Sequence, residues 1–280
     1  MGSVCNEPML GRAIQRIDRF IFETYDTHML INIITAISML AIVAGPLVFV
    51  IWAAGRSGWG VRLIGVGAAT FVLSQVVHLP LNWVLGNMGV LTSAPPIDTT
   101  SAAILGLTSG LCEELARYGA MKWWVREVRD GSQATGFGLG HGGFEAVLVG
   151  ILGCFTALNM LALQTMDLNT LGLEPAQLKV VQSQVLAYQE QPFWQPVLAP
   201  IERALTMANH VWMSLLVMLA LLRKQLRWLV AAIAWHALLN GLVLVTLRDH
   251  GVVASEAILM LMTLGAVAGW WRLRSSGLQG

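Results

Sequence analysis

Charge is what this chain has least of. Only 12% of its 280 residues are Asp, Glu, Lys or Arg, while 56% are hydrophobic. A soluble domain carries about twice that share of charge, so a soluble globular fold is excluded and a multi-pass protein of the cell membrane is expected. There is no run of basic residues, and the net charge is +1, which argues against a nucleic-acid partner. Cysteine is also sparse. Cys5, Cys112 and Cys154 have neither metal nor redox spacing, so no disulfide framework is expected. The first 27 residues hold no continuous apolar core of the kind a cleavable signal needs.

Long apolar runs are abundant. A membrane span needs about 20 apolar residues, and seven stretches qualify: 29–54, 61–86, 101–121, 134–160, 198–222, 228–247 and 253–272. The fold class expected is all-α, a polytopic transmembrane helical bundle of about seven spans. Residues 1–28 form an N-terminal segment, read either as an interfacial amphipathic helix or as a partly ordered tail. Residues 29–272 form the bundle and 273–280 a C-terminal tail. The connection from about 166 to 197, rich in proline and polar residues, is expected to be a surface segment with a short helix.

Lys and Arg gather on alternate connections. Arg56 and Arg62, then Lys122, Arg126 and Arg129, then Arg223, Lys224 and Arg227 fall on one side, joined by Arg272 and Arg274. By the positive-inside rule that side is cytoplasmic. The C-terminus is then cytoplasmic and the N-terminus outside.

Four polar groups interrupt the apolar spans: Glu113, Glu114 and Arg117; His141 and Glu145; Glu202, Arg203 and His210; His236 and Asn240. An ionisable side chain at membrane depth is costly and rarely stands without a partner or a task. At 1.5 Å rise per residue, Glu113, His141 and His236 come out roughly 11–13 Å from the cytoplasmic ends of their helices. His210, Glu145 and Asn240 come out at roughly 17–18 Å. Pairs four apart share a helix face, so the groups converge on one zone. His78, Asn82 and Gln75 form another stripe, at roughly 25 Å for His78, read as helix packing or the wall of a vestibule. The glycines at 136, 138, 140, 142 and 143 are read as a surface for close helix approach.

Glutamate, histidine and asparagine around a buried pocket suit water activation. The carboxylate takes the proton, imidazoles hold the water or a metal, and an amide steadies the oxyanion. His141, His210 and His236 are also a chemically adequate zinc set, so the cofactor is read as none or Zn2+. Serine or cysteine nucleophiles are disfavoured, since no serine stands beside the histidines in sequence and Cys112 points away from Glu113.

These motifs, Glu113-Glu114-x-x-Arg117, the glycine run through His141 to Glu145, Glu202-Arg203 with His210, and His236-x-x-x-Asn240, resemble the YhfC family of intramembrane proteases. That family is related to the CAAX prenyl protease and bacteriocin-processing superfamily. The resemblance implies an intramembrane endopeptidase, glutamic-type or metallo, whose substrate is a membrane-associated or transmembrane peptide or protein amid membrane lipid. It implies that Glu113 or Glu114 is the general base, that His141 positions water, and that His236 and Asn240 supply a further histidine and an oxyanion partner. The superfamily has three residues between the glutamate pair and the arginine. Here there are two, Leu115 and Ala116, so Glu113 matches its second glutamate and is favoured as the base. Arg117, Glu145, Glu202, Arg203 and His210 take supporting roles, with His210 read as a ligand or a substrate gate. Two other readings remain: a non-catalytic membrane scaffold of the same superfamily, and a proton-coupled transporter.

Overall fold

Inside a bilayer every backbone amide must find its partner within the protein, and a helix does this residue by residue. A computed structural model of the chain describes the backbone of residues 7–92 and 97–275, with side chains from Thr27 to Leu273 apart from 93–96. Among those residues it is an all-α bundle. Its helices are α1 (Glu7–Ser57), α2 (Val61–Asn87), α3 (Thr99–Trp123), α4 (Gly131–Thr165), α5 (Pro175–Glu190), α6 (Gln195–Leu222) and α7 (Arg227–Ser275), with a 3-10 turn at Leu168–Leu171.

All seven stretches read from hydropathy are helical. Among the described residues, five helices are long and apolar enough to cross a membrane. The difference from seven has two causes. The helix α3 carries Glu113, Glu114, Arg117 and Lys122, which dilute its hydropathy. The helix α7 holds two spans, divided where Gly251 takes φ 80° and breaks the helical path. At that φ a side chain would be strained, so glycine suits the turn. The amphipathic reading of the N-terminal segment concerns side chains before Thr27 and lies outside the described residues, as do residues 276–280. The backbone of α1 is helical from Glu7.

Two compact units divide the chain. The described residues up to Ala41 join Ile151–Ala199 in one, and Ile42–Gly150 joins the residues from Pro200 onward in the other. In the first, α5 occupies the long connection and opens with a capping box, Glu174 with Gln177, and Pro175 at its first position. Both devices satisfy or remove amide donors that the first helical turn leaves free. Tyr188 Oη donates to Asn32 Oδ1 at 3.1 Å, tying α5 to α1.

The second unit holds every polar group singled out above. Many large apolar side chains face outward, among them Ile51, Val76, Trp83 and Leu238 at 55–71% exposure. In water such a surface would be a liability, and in lipid it is the expected exterior. The packed core lies toward the basic ends of the helices, where Met121, Val125, Phe137, Val217 and Ala232 are fully buried. Glycine sets the crossing of α2 and α4. A Cβ on Gly67 would meet the backbone of Phe137, and one on Gly140 would meet the backbone of Ile64. Only hydrogen fits there, so the two backbones touch, as the glycine run suggested.

Candidate functional site

The close approach of α4 carries His141 into the centre of this unit, where its ring is completely buried. From α3, Glu113 meets it: His141 Nε2 lies 3.0 Å from Glu113 Oε2. From α7, His236 Nε2 lies 3.9 Å from the same oxygen. From α6 comes His210, whose ring centre is 5.1 Å from that of His141 and 5.5 Å from that of His236. Four helices thus deliver one carboxylate and three imidazoles to a single point.

The two adjacent glutamates have different surroundings. Both oxygens of Glu114 are engaged by Arg117 Nη1, at 3.0 and 2.9 Å, and Oε1 also accepts from His236 Nδ1 at 2.9 Å. Sequence spacing had placed Arg117 on the same face as Glu113, four residues away. It turns to Glu114 instead, three residues away, and all three groups are buried. Glu113 keeps Oε2 toward the histidines and borders a cavity of about 190 Å³ with His210, His236 and Asn240.

Hydrogen bonds fix which nitrogens carry protons. An arginine cannot accept, so Arg117 Nη2, 3.1 Å from His210 Nδ1, donates there. A neutral His210 therefore carries its proton on Nε2, which sits 2.5 Å from Glu145 Oε2. His236 is set the other way. Its Nδ1 donates to the Glu114 carboxylate, which leaves the lone pair of Nε2 facing the site. His141 Nδ1 is buried without a partner.

Glu145 and Arg203 form the next layer outward. Arg203 Nη1 donates to Glu145 Oε1 at 3.3 Å, and Nη2 pairs with Glu202. So Glu145, four residues from His141, serves His210 and Arg203 and not its neighbour on the helix. Asn240 likewise bonds across helices, with Nδ2 donating to Ser109 Oγ at 3.0 Å.

Ser109 escaped the sequence reading, which found no serine beside the histidines. In space it touches three of the site residues. Its hydroxyl lies 3.2 Å from His236 Nε2 and 3.3 Å from Glu113 Oε1, besides accepting from Asn240. The signal was present: Ser109 is four residues before Glu113, on the same helix face. The α2 stripe also arrives, as a chain of donors. Thr108 donates to Asn82 Oδ1 at 2.9 Å, Asn82 Nδ2 to His78 Nε2 at 2.9 Å, His78 Nδ1 to Gln75 Oε1 at 3.1 Å, and Gln75 Nε2 to Glu113 Oε1 at 3.3 Å.

A divalent ion suits part of this set. One ligand atom from each of Glu113, His141 and His210 lies within 4.8 Å of the others. Yet the Arg117 bond makes His210 Nε2 a donor, whereas His236 Nε2 offers a lone pair backed by a carboxylate. That backing is the arrangement that orients metal-binding histidines. Glu113, His141 and His236 are therefore the chemically better trio, with two imidazoles and one carboxylate.

Comparison with known proteins follows the same lines. The sequence profile described as "YhfC intramembrane metalloprotease" matches residues 38–263. The chain is 26% identical over 243 residues to a protein of Bacillus subtilis (strain 168) named "Uncharacterized membrane protein YhfC", covering 82% of this chain and 90% of that protein. No solved structure matches.

Proposed function

The chain belongs to the YhfC intramembrane metalloprotease family, and from that premise we propose that it is an intramembrane endopeptidase whose general base is Glu113. The observation that carries the reading is the position of Glu113 Oε2, 3.0 Å from His141 Nε2 and 3.9 Å from His236 Nε2, at the wall of a cavity. The substrate is a membrane-associated or transmembrane peptide or protein.

The division of labour follows from the hydrogen bonds. Glu113 takes a proton from water held against it and returns that proton to the leaving amine. Gln75 and Ser109 hold its Oε1, so Oε2 stays turned to the reacting groups. Glu114 fixes the His236 tautomer, and Arg117 in turn neutralises Glu114. Asn240 supplies an amide N–H near the developing oxyanion, a kind of donor that typically contributes strongly to acyl-transfer chemistry. In a zinc-dependent version Glu113, His141 and His236 would hold the ion, which would itself supply the Lewis acidity that deprotonates water, and Glu113 would then be a ligand in place of the base. Kinship with the CAAX prenyl protease superfamily is part of this proposal and accords with the Glu, His, His and Asn order.

The test compares membranes of cells making the wild-type protein and Glu113→Gln. Mass spectrometry of membrane peptides should show fragments present only with the wild type. Cleavage should fall by about a hundredfold or more in the variant, with its yield and thermal transition unchanged. Identical fragment patterns would end the peptidase reading.

One specific observation favours a second reading. Ser109 Oγ, His236 and Glu114 stand in series at 3.2 and 2.9 Å, the order of a nucleophile, base and orienting carboxylate. If serine were the nucleophile, Ser109→Ala would abolish cleavage and a fluorophosphonate would label the wild type. Under the glutamate reading Ser109→Ala retains measurable activity and no covalent label forms.

A further inference from the structure

Next to the catalytic cluster lies a second, larger cavity of about 350 Å³. The two cavities share His78, Ser109, Glu145, Thr206, Leu239 and Asn240 as wall residues, so they adjoin. The second extends in one direction only. Leu105 is two turns N-terminal of Glu113 in α3, and Arg203 is two turns N-terminal of His210 in α6. Val243 and Leu244 are about two turns C-terminal of His236 in α7. Each of these steps leads away from the helix ends that carry Lys122, Lys224 and Arg227.

On the other side of the cluster the bundle is closed. Met121, Phe137, Val217 and Ala232, each one to three turns toward the basic ends, are 0% exposed and pack as one core. A cavity of about 340 Å³ at the basic ends, lined by Trp59, Arg62, Glu127 and Asp130, shares no wall residue with the one that holds Glu113. The donor chain of Thr108, Asn82, His78 and Gln75 runs along the open side, so a line of polar groups leads toward Glu113. Leu105, Leu239, Val243, Leu244 and Leu259 supply the apolar part of the cavity wall. A cavity with one apolar wall and a few placed polar groups is the usual form of a ligand site.

We propose that the cluster is entered from the lysine- and arginine-poor end of the bundle, and that the leucine and valine wall receives an apolar side chain of the peptide next to the scissile bond. The side-chain assignment rests on the peptidase reading, whereas the direction of entry does not. Entry is then from the extracytoplasmic half, although the reacting residues lie nearer the cytoplasmic ends of their helices. The peptide backbone meets Asn240 and Ser109 at the junction of the two cavities, and its apolar side chain turns away from Glu113.

Two measurements test this. In a chain with Cys5, Cys112 and Cys154 replaced by alanine, single cysteines are placed at Val243, Leu105, Arg126 and Lys224. A charged, membrane-impermeant methanethiosulfonate is applied to right-side-out and to inverted vesicles. Val243→Cys and Leu105→Cys should react in the orientation in which Arg126→Cys and Lys224→Cys do not. Reaction of the cavity cysteines from the same side as position 126, or from neither side, would overturn the direction of entry. Two cavity positions on different helices guard against one failing to fold.

The second measurement reads the residues flanking the cuts. Wild-type fragments should show large apolar residues enriched at one position beside the cut. Val243→Trp, at a position that borders the larger cavity and not the one with Glu113, should reduce cutting at such sites by about tenfold or more while sparing sites with small residues. Uniform loss at all sites, or no enrichment in the wild type, would overturn the side-chain assignment. If no fragments distinguish the wild type from Glu113→Gln, the peptidase reading and the side-chain assignment fail together, while vesicle labelling still decides the direction of entry.

Discussion

His236 donates its Nδ1–H to Glu114 at 2.9 Å, so in the neutral ring its other nitrogen faces the site with a lone pair. The same carboxylate balances Arg117, which is buried with it. Two tasks therefore meet in Glu114, and they make it more sensitive to change than Glu113. Glu114→Gln leaves a buried guanidinium without its counter-charge, at a cost of about 3–5 kcal/mol. We expect a clearly lowered thermal transition in detergent for Glu114→Gln and none for Glu113→Gln. Equal stability of the two variants would contradict the division of roles.

Metal content distinguishes the histidines. Purified protein should hold about one zinc ion, by mass spectrometry of the metal. His141→Ala and His236→Ala should release it. His210→Gln should keep it, because the Arg117 bond already occupies the nitrogen whose protonation would have to change. Loss of zinc in His210→Gln with retention in His236→Ala would reverse the tautomer argument.

Two glycines of one helix should respond with opposite sign. Gly65 has nothing within 4 Å of an added Cβ, whereas Gly67 faces the backbone of Phe137 and His141. Gly65→Ala gains helix propensity, about 0.5–1 kcal/mol where exposed to water and a smaller gain in lipid. Gly67→Ala forces α2 and α4 apart and costs about 1–3 kcal/mol. Thermal unfolding of the two variants side by side checks this, and similar behaviour would mean the helices can separate freely.

Orientation has its own check. Single cysteines at 126 and 224 should be shielded from an impermeant reagent outside the cell, and one at 184, on the exposed side of α5, should react. Outside labelling at 126 would invert the assignment of the basic ends to the cytoplasm.

Much of the architecture was legible because membrane spans announce themselves by length. The helical regions from hydropathy all recur, and even the division of α7 follows from the polar Arg248, Asp249 and His250 before Gly251. Convergence of the polar groups was legible from depth alone, since helical rise is nearly constant. Partner choice was not. Positions three and four apart are both neighbours on a helix, so spacing could not decide between Glu113 and Glu114 for Arg117. Nor could it show that Glu145 leaves His141 for His210 on another helix. Ser109 was invisible for a different reason. A serine in a span ordinarily bonds to its own backbone, and only the approach of α7 gives it His236 and Asn240.

The glycine flank of α4 has a mechanical consequence. Added side chains at 138 and 142 would strike His210 or its neighbours on α6, and one at 140 would strike α2. A shaft gripped this closely on two flanks cannot spin about its long axis, since a small twist drives backbone into backbone. The ring of His141 thereby inherits its bearing from three helices at once. A bulky chain is therefore not admitted by rotation of α4, whose bearing is fixed by its glycine contacts.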